Sequence, residues 1–277
     1  MNSALPVSNS MCKSNLLRSY CTCCGIKQYR AQMKLVYYKL LKKHAWHCHK
    51  CLSVNADNLH FSLKEKQPYL IELFSGSKTV STTANSLGFK SFTVDIEDKY
   101  NPDLVADIQN LKVNLLPGSA SAFIIWASVP CTFYTILNIE NHWQKLTYAS
   151  RKYYYIPKTQ AARSAIRLLE KTLYIIRKIN PVYFFIENPR GALRHMPQMK
   201  AVPFLHTVSY NDYGLNIYKP TDIFTNCPFL QLCELKTSVG RKFNSSVLDL
   251  ATSFERSKVP AQLIESIISQ IKTHHNL

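Results

Sequence analysis

The sequence predicts an α/β fold, a doubly wound and mostly parallel sheet preceded by a small cysteine-rich module. Three observations carry this. Short, nearly continuous apolar runs at 68–74 (PYLIELF), 91–96 (SFTVDI), 122–129 (AFIIWASV) and 182–188 (VYFFIEN) have the composition of strands covered on both faces. Stretches of helical period separate them, and alternating strand and helix build parallel βαβ units. Ahead of them, Cys21, Cys24, Cys48 and Cys51 form two C-x-x-C pairs.

Taken in chain order, residues 1–60 come first. Nine cysteines without a secretory leader point away from a disulfide framework and toward metal binding or catalysis. CTCC and CHKC are separated by 23 residues, slightly more than the usual ribbon spacing, and four thiolates suit a tetrahedral zinc ion. Reduced free thiols are the alternative, and Cys23, His47 and His49 stand close enough to share in ligation. The segment between the pairs interleaves Lys27, Arg30, Lys34, Lys39, Lys42 and Lys43 with Tyr29, Tyr37, Tyr38 and Trp46. It reads equally as a nucleic-acid contact surface or as a basic helix whose rings pack on the metal knuckles. Residues 52–67 lack any period and read as a linker, so the larger domain runs over 68–277.

In that domain KTVSTTANSLG is a helix closed by Gly88. The long stretch ending at Asn180-Pro181 repeats Ala162, Ile166, Leu169, Leu173, Ile176 and Ile179 at helical spacing, which is a core-facing stripe. No internal repeat or low-complexity tract interrupts the pattern.

The chain carries 34 Lys+Arg against 17 Asp+Glu, a formal charge of +17, with 46% hydrophobic residues. Such a chain folds and seeks a polyanion. Nothing in it has the length of a membrane span or the make-up of an amphipathic anchor, so nucleic acid is the expected partner and the protein reads as intracellular and soluble.

Ligands of doubly wound sheets bind beyond the carboxyl ends of the strands. There the sequence offers ELFSGSKT, VDIED, LVADIQNL, SVPCTFYT and IENPRG. Singly these are ambiguous. FSGS has one glycine and fails as a G-x-G-x-x-G cradle. Asp95 suits a ribose but equally starts a turn, and Cys131 by residue type alone is either a packing thiol or a nucleophile.

In combination, LIELFSGSKTVSTTANSLGF, VDI, VADI, PCTFYT, FFIENP, YGLNIYKPTDIFTN and RSKVPAQLIESI give residues 68–270 a resemblance to the DNA (cytosine-5)-methyltransferases, above all the short phage-type members. The resemblance implies a Rossmann-like S-adenosylmethionine-dependent methyltransferase domain, acting as a monomer on double-stranded DNA. It implies a donor site at Glu72, Phe74, Ser75, Gly76, Asp95, Ile96, Asp107, Ile108 and Pro130. Cys131 becomes the nucleophile that adds to ring carbon 6, and Glu187 the acid at ring nitrogen 3. Asn188, Pro189, Arg190 and Lys219 become substrate contacts. The target base must be flipped out of the duplex, and the segment NHWQKLTYASRKYYYIPK, with Trp143, Tyr148 and Tyr153 to Tyr155, either fills the space it leaves or packs on the domain.

Three departures qualify the resemblance. The donor loop lacks most of the family glycines. The Gln-x-Arg-x-Arg motif has no counterpart, Lys219 and Asp222 standing in its vicinity. Only residues 227–250 remain for target recognition, which implies short or weak sequence preference with phosphate contacts added by the N-terminal module. RNA cytosine methylation and a catalytically silent nucleic-acid binder are the alternative readings.

Overall fold

The computed structural model describes residues 68–117, 122–147, 153–215, 217–234 and 253–277, and the backbone of four strands nearer the N-terminus. Those four are β1 (Arg18–Tyr20), β2 (Lys27–Tyr29), β3 (Met33–Tyr38) and β4 (Lys43–Cys48). β1 pairs antiparallel with β2, and β3 with β4. The described parts of the basic, aromatic stretch are therefore strands, which suits its ring-bearing residues, and the helical reading of them is corrected. Cys21, Cys24, Cys51 and the linker 52–67 lie outside the described residues, while Cys48 closes β4.

The next strands are β5 (Tyr69–Leu73), β6 (Lys90–Asp95), β7 (Leu104–Val105), β8 (Ala122–Ser128), β9 (Trp143–Thr147), β10 (Tyr153–Pro157), β11 (Tyr183–Pro189), β12 (Phe204–Ser209) and β13 (Pro220–Thr225). The helices are α1 (Thr79–Ser86), α2 (Ile139–His142), α3 (Gln160–Ile179), α4 (Ser253–Ser257) and α5 (Ala261–His275). Seven strands form one sheet in the order β12-β13-β11-β8-β5-β6-β7. β7, β6, β5, β8 and β11 run parallel, and β13 is antiparallel to both β11 and β12. This is the doubly wound, mostly parallel architecture of the Rossmann-like class, with one reversed strand. From β5 the chain moves outward to β6 and β7, then returns to the other side of β5 as β8. The crevice above β5 and β8 is therefore the switch point at which such sheets take ligands.

Alternation along the strands divides the core in two. Ile71, Leu73, Ile125, Ala127, Phe184 and Ile186 face α3, whose Ala162, Leu169, Ile176 and Ile179 are buried against them. Leu70, Trp126, Tyr183 and Phe185 face the other side, covered by Val80 and Ala84 of α1 and by Leu263, Ile264, Ile267, Ile268 and Ile271 of α5. Each such Leu or Ile stabilises the fold by about 1.5–3 kcal/mol. α3 starts where Thr159 accepts the Ala162 N–H and stops at Asn180 in the left-handed region (φ 53), one residue before Pro181. Gly88 after α1 has φ 91, the backbone conformation for which a glycine is suited.

Candidate active site

β8 delivers Val129, Pro130 and Cys131 to the carboxyl edge of the sheet, where the chain turns at once. The N–H groups of Tyr134 and Thr135 both donate to the Cys131 carbonyl, at 2.8 and 3.0 Å. Cys131 is partly buried and Pro130 exposed. β11 lies alongside in parallel register with Glu187 opposite Ser128, three residues before the thiol. The Glu187 side chain is 4% exposed, and its Oε1 accepts a hydrogen bond from the Tyr210 phenol at 2.7 Å. Lys219, 7% exposed, places its ammonium 4.5 Å from the centre of the same ring. Burial, followed by the nearby Glu187 carboxylate, raises the Cys131 thiol above its ordinary pKa, while Lys219 pulls it back down. Burial and Glu187 together push the Tyr210 phenol far above its usual range, which keeps it a donor.

Several contacts fix the two turns relative to each other. Asn188, fully buried, donates from Nδ2 to the Val129 carbonyl at 2.7 Å. The Ala192 N–H donates to the Tyr134 carbonyl at 2.8 Å. Between them Gly191 passes so close that a Cβ there would stand 2.1 Å from the Tyr134 oxygen. A glycine following the strand-end motif was the only sequence sign of this approach. Pro189 lies opposite Thr221, and Arg190 is exposed with its N–H on the Pro220 carbonyl at 2.8 Å.

Asp222 is committed elsewhere. Its carboxylate takes a two-point ion pair from Arg194 and a 2.9 Å hydrogen bond from Thr207, its register partner on β12. Asp222 is thus committed to Arg194 and Thr207, while Lys219 lies close enough to Cys131 to favour its thiolate.

The loop after β5 is under backbone constraint. Phe74 (φ 61), Gly76 (φ 42) and Lys78 (φ 55) all sit in the left-handed region, a conformation that costs a bulky residue such as Phe74 and is found where a site requires it. The Asp95 carboxylate at the end of β6 accepts the Gly76 N–H at 2.8 Å and the Glu97 N–H at 2.9 Å, drawing the two loops together. Glu72 accepts the Ser81 N–H at 2.8 Å within the first turn of α1, and burial raises its pKa to about 7 despite that bond. Ser75 carries a buried hydroxyl with no hydrogen-bond partner among the described residues. Ile96 is 63% exposed beside Asp95. Asp107 closes its own turn through the Gln109 N–H and the Asn110 amide, and Ile108 is buried below it.

The segment after Cys131 forms the β9–β10 hairpin. Trp143, one of the rings that sequence left open for a substrate role, is 2% exposed, stacks on Tyr134 with centroids 5.6 Å apart and donates to the Phe133 carbonyl. Trp143 is a core residue, because its indole N–H finds a carbonyl partner inside the domain. Tyr154 and Tyr155 are half-buried, and residues 148–152 lie outside the described residues. Among the described residues no group of three or more His, Cys, Asp or Glu is arranged to hold a metal, and no described helix is long and apolar enough to cross a membrane.

Fold and site together define a Rossmann-like protein with a thiol and a carboxyl group at adjacent strand ends beside a constrained loop. No family model and no curated protein matches the chain. Solved structures similar to it include the Entamoeba histolytica methyltransferase EhMeth, at 18% identity and TM-score 0.42 over 62% of this chain and 58% of that one. A DNA modification methyltransferase encoded within an E. coli prophage aligns at 18% identity and TM-score 0.36, over 57% and 46% of the two chains. The S. pombe Dnmt2 methyltransferase aligns at 14% identity and TM-score 0.38, over 60% and 51%. The aligned part spans about half the length of these structures.

Proposed function

We propose that the protein transfers a methyl group from S-adenosylmethionine to carbon 5 of cytosine in double-stranded DNA, acting as a monomer. The observation that supports this best is the coupled pair itself, Cys131 and Glu187 at the ends of neighbouring parallel strands, each within the influence of Lys219 or Tyr210.

On this reading Cys131 Sγ bonds to ring carbon 6 and leaves again once carbon 5 has lost its proton. Glu187 holds a proton at ring nitrogen 3, so the electrons displaced by the thiolate are drawn toward that nitrogen. Tyr210, donating to Oε1, leaves Oε2 as the oxygen that carries the proton toward the base. Lys219 lowers the cost of forming the thiolate in a desolvated pocket. Asn188 holds the Cys131 turn through Val129.

The donor side fits its cofactor on three counts, namely the Ser75 hydroxyl, which has no hydrogen-bond partner among the described residues, the exposed Ile96 and the Asp95 carboxylate at the end of the second strand. Glu72, Phe74, Ser75, Gly76, Asp95 and Ile96 would hold S-adenosylmethionine, which supplies an electrophilic methyl group when bound. Pro189, Arg190 and the exposed edge near Pro130 would border the substrate. Cys21, Cys24, Cys48 and Cys51 are assigned a structural zinc ion. Cys21 and Cys24 fall in sequence between the paired strands β1 and β2, and Cys48 ends β4, a hairpin-borne spacing suited to four thiolates.

The test is a duplex containing 5-fluorocytosine incubated with the protein and S-adenosylmethionine, because fluorine at carbon 5 blocks the final proton loss and traps the Cys131 adduct. An adduct that Cys131→Ser abolishes is expected. An adduct formed only with RNA would move the substrate to RNA, and binding without any adduct would leave a silent binder.

A further inference from the structure

The outer face of α3 has no part in the site described above. Arg163, Arg167, Lys171, Tyr174 and Lys178 recur at intervals of four, four, three and four residues and line one side of this 20-residue helix. At 1.5 Å per residue the stripe is about 22 Å long. Arg163, Arg167, Tyr174 and Lys178 are exposed. Tyr174 lies between Lys171 and Lys178, 40% exposed, with their ammonium groups 5.5 and 5.7 Å from its ring.

Among the described residues none of these cations forms an ion pair. Arg163 and Arg167 donate instead to the neutral groups of Gln160 (3.2 Å) and Ser164 (2.7 Å). Glu170, at the border of the face, accepts from Gln198 at 2.9 Å.

This arrangement opposes the rules for a stable helix. Arg163/Arg167 and Arg167/Lys171 are like charges four residues apart, each pair destabilising. The first turn holds no acidic residue, and Arg163 sits near the positive end of the helix dipole. An apolar stripe on the opposite side already secures the helix to the sheet, so folding does not require the basic one. The Arg163–Arg167–Lys171 run costs stability with no ion pair among the described residues in return, and local choices of that kind mark a functional surface. A membrane surface fits poorly, since Tyr174 is the only large apolar side chain exposed on this face and an interfacial helix buries an apolar one. A rigid row of cations about one helical turn apart complements a rigid row of phosphates.

We infer that the outer face of α3 is a docking ridge for the phosphate backbone of duplex DNA. The choice of DNA among duplex polyanions rests on the methyltransferase reading; the ridge itself stands on charge and geometry. Phosphate contacts of this kind fix orientation without reading sequence, which suits a chain with little room for a base-reading segment.

The experiment measures binding of the full-length protein to a short fluorescent DNA duplex across a salt series. Arg163→Gln with Arg167→Gln is compared with Lys258→Gln and Lys272→Gln, which remove the same charge on the α5 side of the sheet. Each phosphate contact contributes about 0.9 to the slope of log K against log salt, so the ridge variant is expected to flatten it by roughly 1.8 and the control by less than half of that. Equal flattening in both variants, or none in the ridge variant, overturns the inference. Flattening with a duplex RNA probe but none with DNA overturns the choice of DNA. A 5-fluorocytosine adduct is followed in wild type alongside; its absence with the slope difference intact counts against the methyltransferase reading alone.

Discussion

Replacing Tyr210 by phenylalanine removes one oxygen and leaves the ring over which Lys219 sits. Glu187 Oε1 then loses a donor 2.7 Å away, in a side chain that is 4% exposed. A protein hydrogen bond contributes about 0.5–1.5 kcal/mol to stability, and a buried acceptor left unpaired costs about 1–3 kcal/mol. In a domain of this size 1 kcal/mol moves Tm by about 2–4 °C, so a loss of about 2 kcal/mol lowers it by about 4–8 °C. On the proposed methyltransferase reading the catalytic effect is separate. Without the phenol either Glu187 oxygen can hold the proton, and the carboxyl group is free to turn from the base. A loss of about 1.4–2.7 kcal/mol of oriented interaction corresponds to a ten- to hundredfold fall in kcat, with KM for DNA within about twofold because the substituted oxygen faces Glu187. The assay is single-turnover transfer of labelled methyl in a double-mutant cycle with Glu187→Gln. If Tyr210 acts through the Glu187 proton, adding Tyr210→Phe to Glu187→Gln costs less than about 0.5 kcal/mol further. An equal cost in both backgrounds, or wild-type kcat in Tyr210→Phe, refutes the reasoning and leaves Tyr210 a packing residue.

Two further outcomes follow from the same contacts. Gly191→Ala puts a methyl group 2.1 Å from the Tyr134 carbonyl, so one turn must yield. Overpacking of this kind costs about 1–3 kcal/mol, and both the urea midpoint and the rate of adduct formation should fall; wild-type values of both would mean that the turns do not touch. Glu72 has a folded pKa raised to about 7 from an ordinary 4.5. The folded protein therefore holds a proton that the unfolded chain has released. Its stabilising contribution is complete below about pH 4.5 and is lost as pH rises through about 7. Glu72→Gln should match wild type near pH 5 and exceed it in Tm near pH 8; a difference independent of pH would argue against a protonated Glu72.

Local pattern carried most of the architecture. The strands expected at 68–74, 91–96, 122–129 and 182–188 lie at Tyr69–Leu73, Lys90–Asp95, Ala122–Ser128 and Tyr183–Pro189, and the long helix ends at Ile179, just before Asn180-Pro181. These features follow from neighbours within one or two turns of chain, where burial on both faces and the geometry of proline act directly. β12, β13 and the β9–β10 hairpin were less legible, because their pairing depends on partners elsewhere in the chain.

Sequence by itself determined the alternation of strand and helix, the excess of positive charge, and the placement of Pro130-Cys131 and Glu187-Asn188-Pro189 at successive strand ends. Only tertiary structure decided which side chains meet there. Tyr210 reaches Glu187 across 23 residues, Asn188 reaches Val129 across 59, and Arg194 takes the Asp222 carboxylate across 28. Trp143 passed from the set of possible substrate contacts into the core for the same reason. The register between β8, β11 and β13 sets these meetings, and register is fixed by burial and hydrogen bonding summed over whole strands.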